Sequence, residues 1–261
     1  MPSTSDVKTM MDERYAAGTA YKSALPFDLL RGNNIRDTTL SLCDRFGEVI
    51  NPTVRTLDVG SGQGGIAAFW PHHNIVGVEI SEVAVKLARE AYPAVKFVCC
   101  AIEKFELGAG MAPFDLVVAQ ESIEHWTDVP KGLQAIHQAM RPHATFVLTT
   151  PNRDSLHNRI RRKLGKGEAP YCSTDHVHEF GFQELIDTVQ SHGFTLEKSA
   201  GVGLLPYWTL EDVFGSRIRE LTDADEEVVE WFETIGRSAP PEFCFIQAHR
   251  FRRSVVEVVG P

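Results

Sequence analysis

Thr56-Leu57-Asp58-Val59-Gly60-Ser61-Gly62-Gln63-Gly64-Gly65 is an apolar run that breaks into a glycine cluster and passes straight into Ile66-Ala67-Ala68-Phe69-Trp70. That order reads as a buried strand, a tight loop and the start of a helix. Glycines at 60, 62 and 64 remove the Cβ atoms that would hold a ligand off the backbone. The free N–H groups of a helix N-terminus then face whatever docks there, which suits a nucleotide-like body. Gly60, Gly62 and Gly65 also satisfy G-x-G-x-x-G, so nicotinamide and flavin cofactors stay open at this point. Ile75-Val76-Gly77-Val78-Glu79-Ile80 reads as the next strand. Its Glu79 stands about twenty residues beyond the loop, the spacing that sets a carboxylate on ribose hydroxyls. Both cofactor classes use such an acid, so it speaks for adenosine without choosing between them.

The rest of the chain chooses. Asp58-Val59-Gly60-Ser61-Gly62-Gln63-Gly64 resembles motif I of the class I S-adenosylmethionine-dependent methyltransferases. Phe114-Asp115-Leu116-Val117-Val118-Ala119-Gln120-Glu121-Ser122-Ile123-Glu124-His125 resembles their fourth strand and following turn. Met140 to Asn152 resembles their helix-to-fifth-strand segment, with Pro142-His143-Ala144 where that family usually carries Pro-Gly-Gly. The likeness covers about residues 50–200 and lies nearest the ubiquinone-pathway O-methyltransferase-like group. It implies an α/β fold: a doubly wound, seven-stranded, mostly parallel sheet with an antiparallel last strand and a helical N-terminal cap. It also implies S-adenosylmethionine as cofactor, held by Asp58, Gly60, Ser61, Gly62, Gly64, Glu79, Ile80 and Gln120. The family's adenine-holding Asp after the third strand is replaced; Ala101 occupies that position, and the adenine pocket is assigned to Ala101 and Ile102.

Length and composition agree with one such domain over residues 1–261. Residues 1–50 form a helical cap or lid, 51–152 the cofactor-binding core, and 153–261 an acceptor-side insertion with the C-terminal strands. An apolar content of 43% suffices for a full core. No apolar run reaches membrane-spanning length, and the N-terminus lacks the basic start and apolar stretch of a secretory signal. Five cysteines without zinc-type spacing fit a reducing, cytoplasmic setting, and adjacent Cys99 and Cys100 read as small buried residues. A net charge of −9 disfavours a general nucleic-acid binder.

Strands are expected at Arg55–Val59, Ile75–Glu79, Val95–Cys99, Phe114–Ala119 and Thr145–Thr149, near-continuous apolar runs suited to a sheet covered on both faces. Helices are expected near Gly64–Trp70, Ser81–Ala91 with Ser81 as N-cap, and Val129–Met140. Asp6–Ala17 and part of Pro26–Ile50 read as helices, with Arg14, Tyr15 and Tyr21 just ahead of the core. Phe182–His192 reads as a helix stopped by Gly193, Phe194 opens the sixth strand, and Phe243–His249 is the last strand. Thr222–Asp225 resembles a capping box before another helix, and Pro206-Tyr207-Trp208 reads as core.

The chemistry concentrates in Glu121-x-x-Glu124-His125. A helical turn would set these three on one face, and two carboxylates with an imidazole suit a divalent cation such as Mg²⁺, Mn²⁺ or Zn²⁺. The same block occurs in the small-RNA 3′-end 2′-O-methyltransferases, where a downstream His completes a metal site. That resemblance implies Glu121, Glu124, His125 and His176 as ligands, His176 lying in Asp175-His176-Val177-His178-Glu179-Phe180. Relatives without metal also carry a Glu-His pair here, its imidazole supporting the substrate pocket. His125, Glu121 and His176 are therefore also the candidate catalytic residues. Residues 153–166 are rich in Arg and Lys, a pattern for an anionic substrate, an RNA end, weak peripheral membrane contact or a solvated face; His157, Arg161 and Tyr171 stand in this acceptor-side region. The expected activity is O-methylation of a small hydroxylated molecule such as a phenol, sugar or natural-product intermediate. RNA 3′-end methylation, C- or N-methylation and a non-catalytic cofactor-binding module are the alternatives.

Overall fold

β-Branched and aliphatic residues fill the central strands, and successive residues send their side chains to opposite faces. In this computed structural model, which describes residues 2–18, 26–43, 53–70, 74–108, 110–165, 176–204, 234–236 and 238–254, that alternation builds two cores. Val117, Phe146 and Leu148 pack on one face with Leu133 and Ile136, whereas Leu116, Val118 and Val147 pack on the other with Ile66, Val85 and Ala88.

The strands are β1 (Arg55–Val59), β2 (Asn74–Glu79), β3 (Lys96–Cys99), β4 (Phe114–Gln120), β5 (Met140–Pro151), β6 (Phe194–Val202) and β7 (Ile246–Arg253). They form one seven-stranded sheet in the order β3-β2-β1-β4-β5-β7-β6. β7 runs antiparallel to both β5 and β6, while the β1–β5 pairs are parallel. The order turns back between β1 and β4, which opens a crevice at their carboxyl ends. The fold is the α/β, mostly parallel arrangement that the sequence implied. The helices are α1 (Thr4–Ala16), α2 (Pro26–Leu42), α3 (Gly65–Phe69), α4 (Glu82–Ala91), α5 (Val129–Ala139), α6 (Leu156–Lys163) and α7 (Phe182–Gln190). Ser81 caps α4 by accepting from the Ala84 N–H, and Ser3 with Asp6 forms a capping box on α1. No helix among the described residues is long and apolar enough to cross a membrane.

Several boundaries differ from expectation. β5 starts at Met140 and not at Thr145, because the chain leaves α5 directly into pairing with Phe114. The last strand begins at Ile246, since Pro241–Phe243 is a single 3₁₀ turn. α7 ends at Gln190, a turn ahead of Gly193. Tyr21, Lys166, Tyr171, Asp175, Pro206-Tyr207-Trp208 and Thr222–Asp225 lie outside the described residues.

His143 takes the place of a glycine at a cost. Its φ is +62°, the left-handed region that an L side chain enters at about 1–2 kcal/mol. Its side chain is exposed, so nothing is lost by removing it. His143→Gly is expected to raise stability by about 1 kcal/mol, read as a rise of about 2 °C in thermal unfolding. An unchanged or lower midpoint would contradict this.

Candidate active site

The glycine loop follows β1 and is tied to β2, the Gly60 and Ser61 N–H groups donating to the Val78 carbonyl at 2.8 and 3.0 Å. Gly60, Gly62 and Gly64 have φ of +70°, +50° and +92°, so each needs glycine for its backbone alone. A Cβ on Gly60 would also meet Ser122 Oγ at 2.3 Å. Glu79 ends β2 with its carboxylate clamped: Gly62 N–H donates to Oε2 at 3.0 Å and Ser81 N–H to Oε1 at 2.9 Å. Each oxygen keeps a second acceptor site, and burial holds the carboxyl above its ordinary range.

Asp58 and Gln120 line the crevice with Gly60, Ser61, Gly62 and Gly64. Asp58 Oδ2 and Gln120 Oε1 are buried acceptors with no hydrogen-bond partner among the described residues. Buried acceptors are normally satisfied, so two such atoms on one crevice fit a ligand with N–H donors, as the ammonium end of S-adenosylmethionine offers. A second cavity is lined by Gly60, Glu79, Ile80, Ala101 and Ile102, residues that the sequence resemblance assigns to the adenosine. Cys100 lines it as well, and Cys99 and Cys100 are partly exposed where the sequence suggested full burial. Burial pushes the Cys100 thiol up to about 11, so it stays protonated.

α1 lies over this cavity, which Thr4, Val7, Met11 and Tyr15 line from above. Thr4 Oγ1 meets Thr127 Oγ1 at 2.8 Å at one end. At the other, Asp12 accepts from Ser81 Oγ at 2.6 Å and from the Val83 N–H at 3.2 Å, setting a carboxylate at the N-terminus of α4. Arg36 of α2 also lines the crevice. Arg36 sits in no motif, so no local sequence pattern marks it. Nor does a motif mark Glu103, whose carboxylate accepts from the Thr127 and Asp128 N–H groups at 2.7 and 3.2 Å and fixes the loop after β4.

Asp58 is expected to make cofactor affinity depend on pH. Burial, and then the Glu79 charge, push its carboxyl up to about 7. The folded chain therefore binds this proton more tightly than the unfolded chain, and stability falls as pH rises from about 4 to 7. A cationic ligand beside Asp58 favours the ionised form. S-Adenosylhomocysteine affinity is expected to rise between pH 6 and 8 while the melting point of the free protein falls. Calorimetry and thermal unfolding check both, and Asp58→Asn should flatten both slopes. A pH-independent affinity would contradict the assignment.

The turn after β4 departs from expectation. Glu121 adopts φ +48°, and only Ile123–His125 form a 3₁₀ turn. The reversal at Glu121 takes it off the helical face on which i, i+3 and i+4 would align. Glu124, His125 and His176 instead come together, one ligand atom of each within 4.8 Å of the others. Glu121 stands outside that group and faces both the cavity and the crevice.

Glu124 is 1% exposed, and its Oε2 accepts from Thr150 Oγ1 at 2.8 Å. Burial, with the charge of Glu121, holds its carboxyl well above the usual range. Burial, and then the charges of His176 and Arg14, push His125 down to about 3, so its imidazole is neutral. The 4.0 Å from His125 Nε2 to Glu124 Oε1 is accordingly not an ion pair. Burial alone would lower His176 too, but the Glu179 hydrogen bond and the charges of Glu124, Glu179 and Glu121 leave it raised. One carboxylate and two imidazoles are a suitable donor set for a divalent first-row cation.

A methyltransferase-domain pattern matches residues 32–199. The chain belongs to the methyltransferase-domain family. It carries a methyltransferase domain. A malonyl-[acyl-carrier protein] O-methyltransferase of Enterobacter lignolyticus is 27% identical over 139 residues, 52% of this chain and 53% of that protein. A ubiquinone biosynthesis O-methyltransferase of a Bradyrhizobium species is 30% identical over 133 residues, 48% and 51% of the two chains. The chain thus spans about half the length of the curated relatives it matches. A solved Thermotoga maritima S-adenosylmethionine-dependent methyltransferase, described as a possible histamine N-methyltransferase, superposes with a TM-score of 0.60 at 16% identity. It covers 95% of this chain and 100% of that one, a likeness of fold.

Proposed function

We propose that the chain transfers the methyl group of S-adenosylmethionine to a hydroxyl of a small acceptor, with a divalent cation held by Glu124, His125 and His176. The observation that carries this reading is the meeting of those three ligand atoms beside the cofactor cavity, which His125 itself lines. The names of the two O-methyltransferase relatives support it. The net charge of −9 favours a small acceptor over RNA, although the basic last turn of α6 (Arg161, Arg162, Lys163) keeps an RNA end as a second reading.

The sulfonium supplies an already activated methyl group. The loop glycines, Glu79 and Asp58 would hold the two ends of the cofactor and so orient its methyl group toward the acceptor. Holding the acceptor in line is worth at most about 7–11 kcal/mol of barrier. The acceptor hydroxyl must lose its proton, and Glu121, outside the three-residue cluster and facing cavity and crevice, is placed to take it. A cation at the cluster would lower the hydroxyl pKa and orient its oxygen. Val7, Met11 and Tyr15 of α1 line the cavity and would limit the water that reaches a bound cofactor.

The test is methyl transfer from labelled S-adenosylmethionine to a panel of phenols, sugars, hydroxy acids and short RNAs, with and without chelator. Transfer to a small hydroxylated acceptor that falls with chelation is expected. Transfer only to amines, carbon or RNA would contradict the reading.

A further inference from the structure

We infer that Glu179 is the positioning residue of the site, fixing the tautomer and direction of His176 so that its Nε2 lone pair faces Glu124 and His125. This rests on the cation reading above. His176 Nδ1 lies 2.7 Å from Glu179 Oε1, and both side chains are 8% exposed. An ionised carboxylate only accepts hydrogen bonds, so the proton of this bond belongs to Nδ1. Nε2 is then the ring nitrogen left for the cluster.

The pair is held by the backbone around it. Residues 176–180 form no regular element, yet their course is pinned. The Val177 and His178 N–H groups donate to the Glu124 carbonyl at 2.8 and 3.0 Å. The Phe180 carbonyl accepts from the Arg153 N–H at 2.9 Å and from Gln247 Nε2 at 3.0 Å. Arg153 Nη1 donates to the Glu179 carbonyl at 3.1 Å. The backbone that carries His176 is thereby bonded to the backbone of Glu124, and Glu179 is set at a fixed offset behind the ring.

The second oxygen of Glu179 points to function over scaffolding. Glu179 Oε2 is buried and has no hydrogen-bond partner among the described residues. A side chain kept to tie two segments together would be expected to use both oxygens. Here the one bond made is the bond to the imidazole. A carboxylate behind a ligating His raises the basicity of the ring and orients it, and loss of such a group weakens metal binding by roughly 10–100-fold.

Titration of the chelator-treated protein with Co²⁺, followed by visible absorption, tests this in the wild type, Glu179→Ala, Glu179→Gln and His176→Ala, with S-adenosylhomocysteine binding measured on each. Glu179→Ala is expected to weaken Co²⁺ binding at least tenfold and leave S-adenosylhomocysteine affinity within about twofold. Glu179→Gln retains an acceptor without the charge and should fall between. The ¹⁵N resonances of His176 in the cation-free protein provide a readout independent of cation binding. Nδ1 is expected to be protonated and hydrogen-bonded in the wild type, and to lose that signature in Glu179→Ala. Wild-type Co²⁺ affinity in Glu179→Ala beside loss in His176→Ala would overturn the role of Glu179. So would ring resonances that Glu179→Ala leaves unchanged. If the wild type binds no Co²⁺ while the resonances behave as expected, the cation reading fails and the positioning role stands.

Discussion

Glu79→Ala is expected to weaken S-adenosylhomocysteine binding by about 100-fold. The carboxylate ends β2 on the wall of the cavity, with Gly62 N–H and Ser81 N–H each fixed on one oxygen. Two ribose hydroxyls would use its remaining acceptor sites, and hydrogen bonds to a charged group contribute about 1.5–3 kcal/mol each. Losing about 3 kcal/mol corresponds to about 100-fold in affinity. The substitution also strips the Gly62 N–H of its partner and loosens the loop at a φ of +50°. Stability should change much less than affinity, because burial already disfavours the charged carboxyl and alanine removes that penalty. Calorimetry beside thermal unfolding separates the two effects. Near-native affinity in Glu79→Ala would remove Glu79 from the cofactor site.

The second large effect concerns the cluster. Glu124→Gln is expected to lower the rate of methyl transfer by about 10²–10³-fold, the usual loss when one preorganised electrostatic group is removed. The glutamine is close in shape and its amide oxygen can still accept from Thr150 Oγ1, so the buried hydrogen bond at 2.8 Å survives. The Glu124 carbonyl, which anchors Val177 and His178, is untouched. S-Adenosylhomocysteine affinity should therefore hold while turnover falls. Single-turnover transfer, wild type against variant, is the measurement. Full activity in Glu124→Gln would mean that the buried carboxylate serves the fold alone.

Local signals and long-range contacts were not equally legible. The β1 strand, glycine loop and Glu79 were readable because each is a short pattern with a backbone reason behind it. Motif order then fixed the sheet, including the antiparallel β7 that composition alone never shows. The turn after β4 was misread in detail. Glu121 to His125 has helical spacing, but a left-handed residue at 121 breaks the helix before it starts, and no local sequence rule announces that for a glutamate. The β5 boundary moved because pairing of Met140 with Phe114 overrides the break that Pro142 suggests. The roles of Arg36, Glu103 and Glu179 carry no local signal for a common reason: each meets the site through tertiary contact. The bond between α1 and α4 through Asp12 and Ser81 is of the same kind, 69 residues apart in the chain.

The central claim is a cofactor crevice joined to a cation cluster. Its most direct test is calorimetric titration of chelator-treated protein with S-adenosylhomocysteine, and separately with Mg²⁺, Mn²⁺ or Zn²⁺, for the wild type and His176→Ala. The account predicts S-adenosylhomocysteine binding of similar strength in both proteins, and a cation heat in the wild type that His176→Ala loses. S-Adenosylhomocysteine binding with no cation heat in the wild type, or a cation heat that survives in His176→Ala, would contradict it.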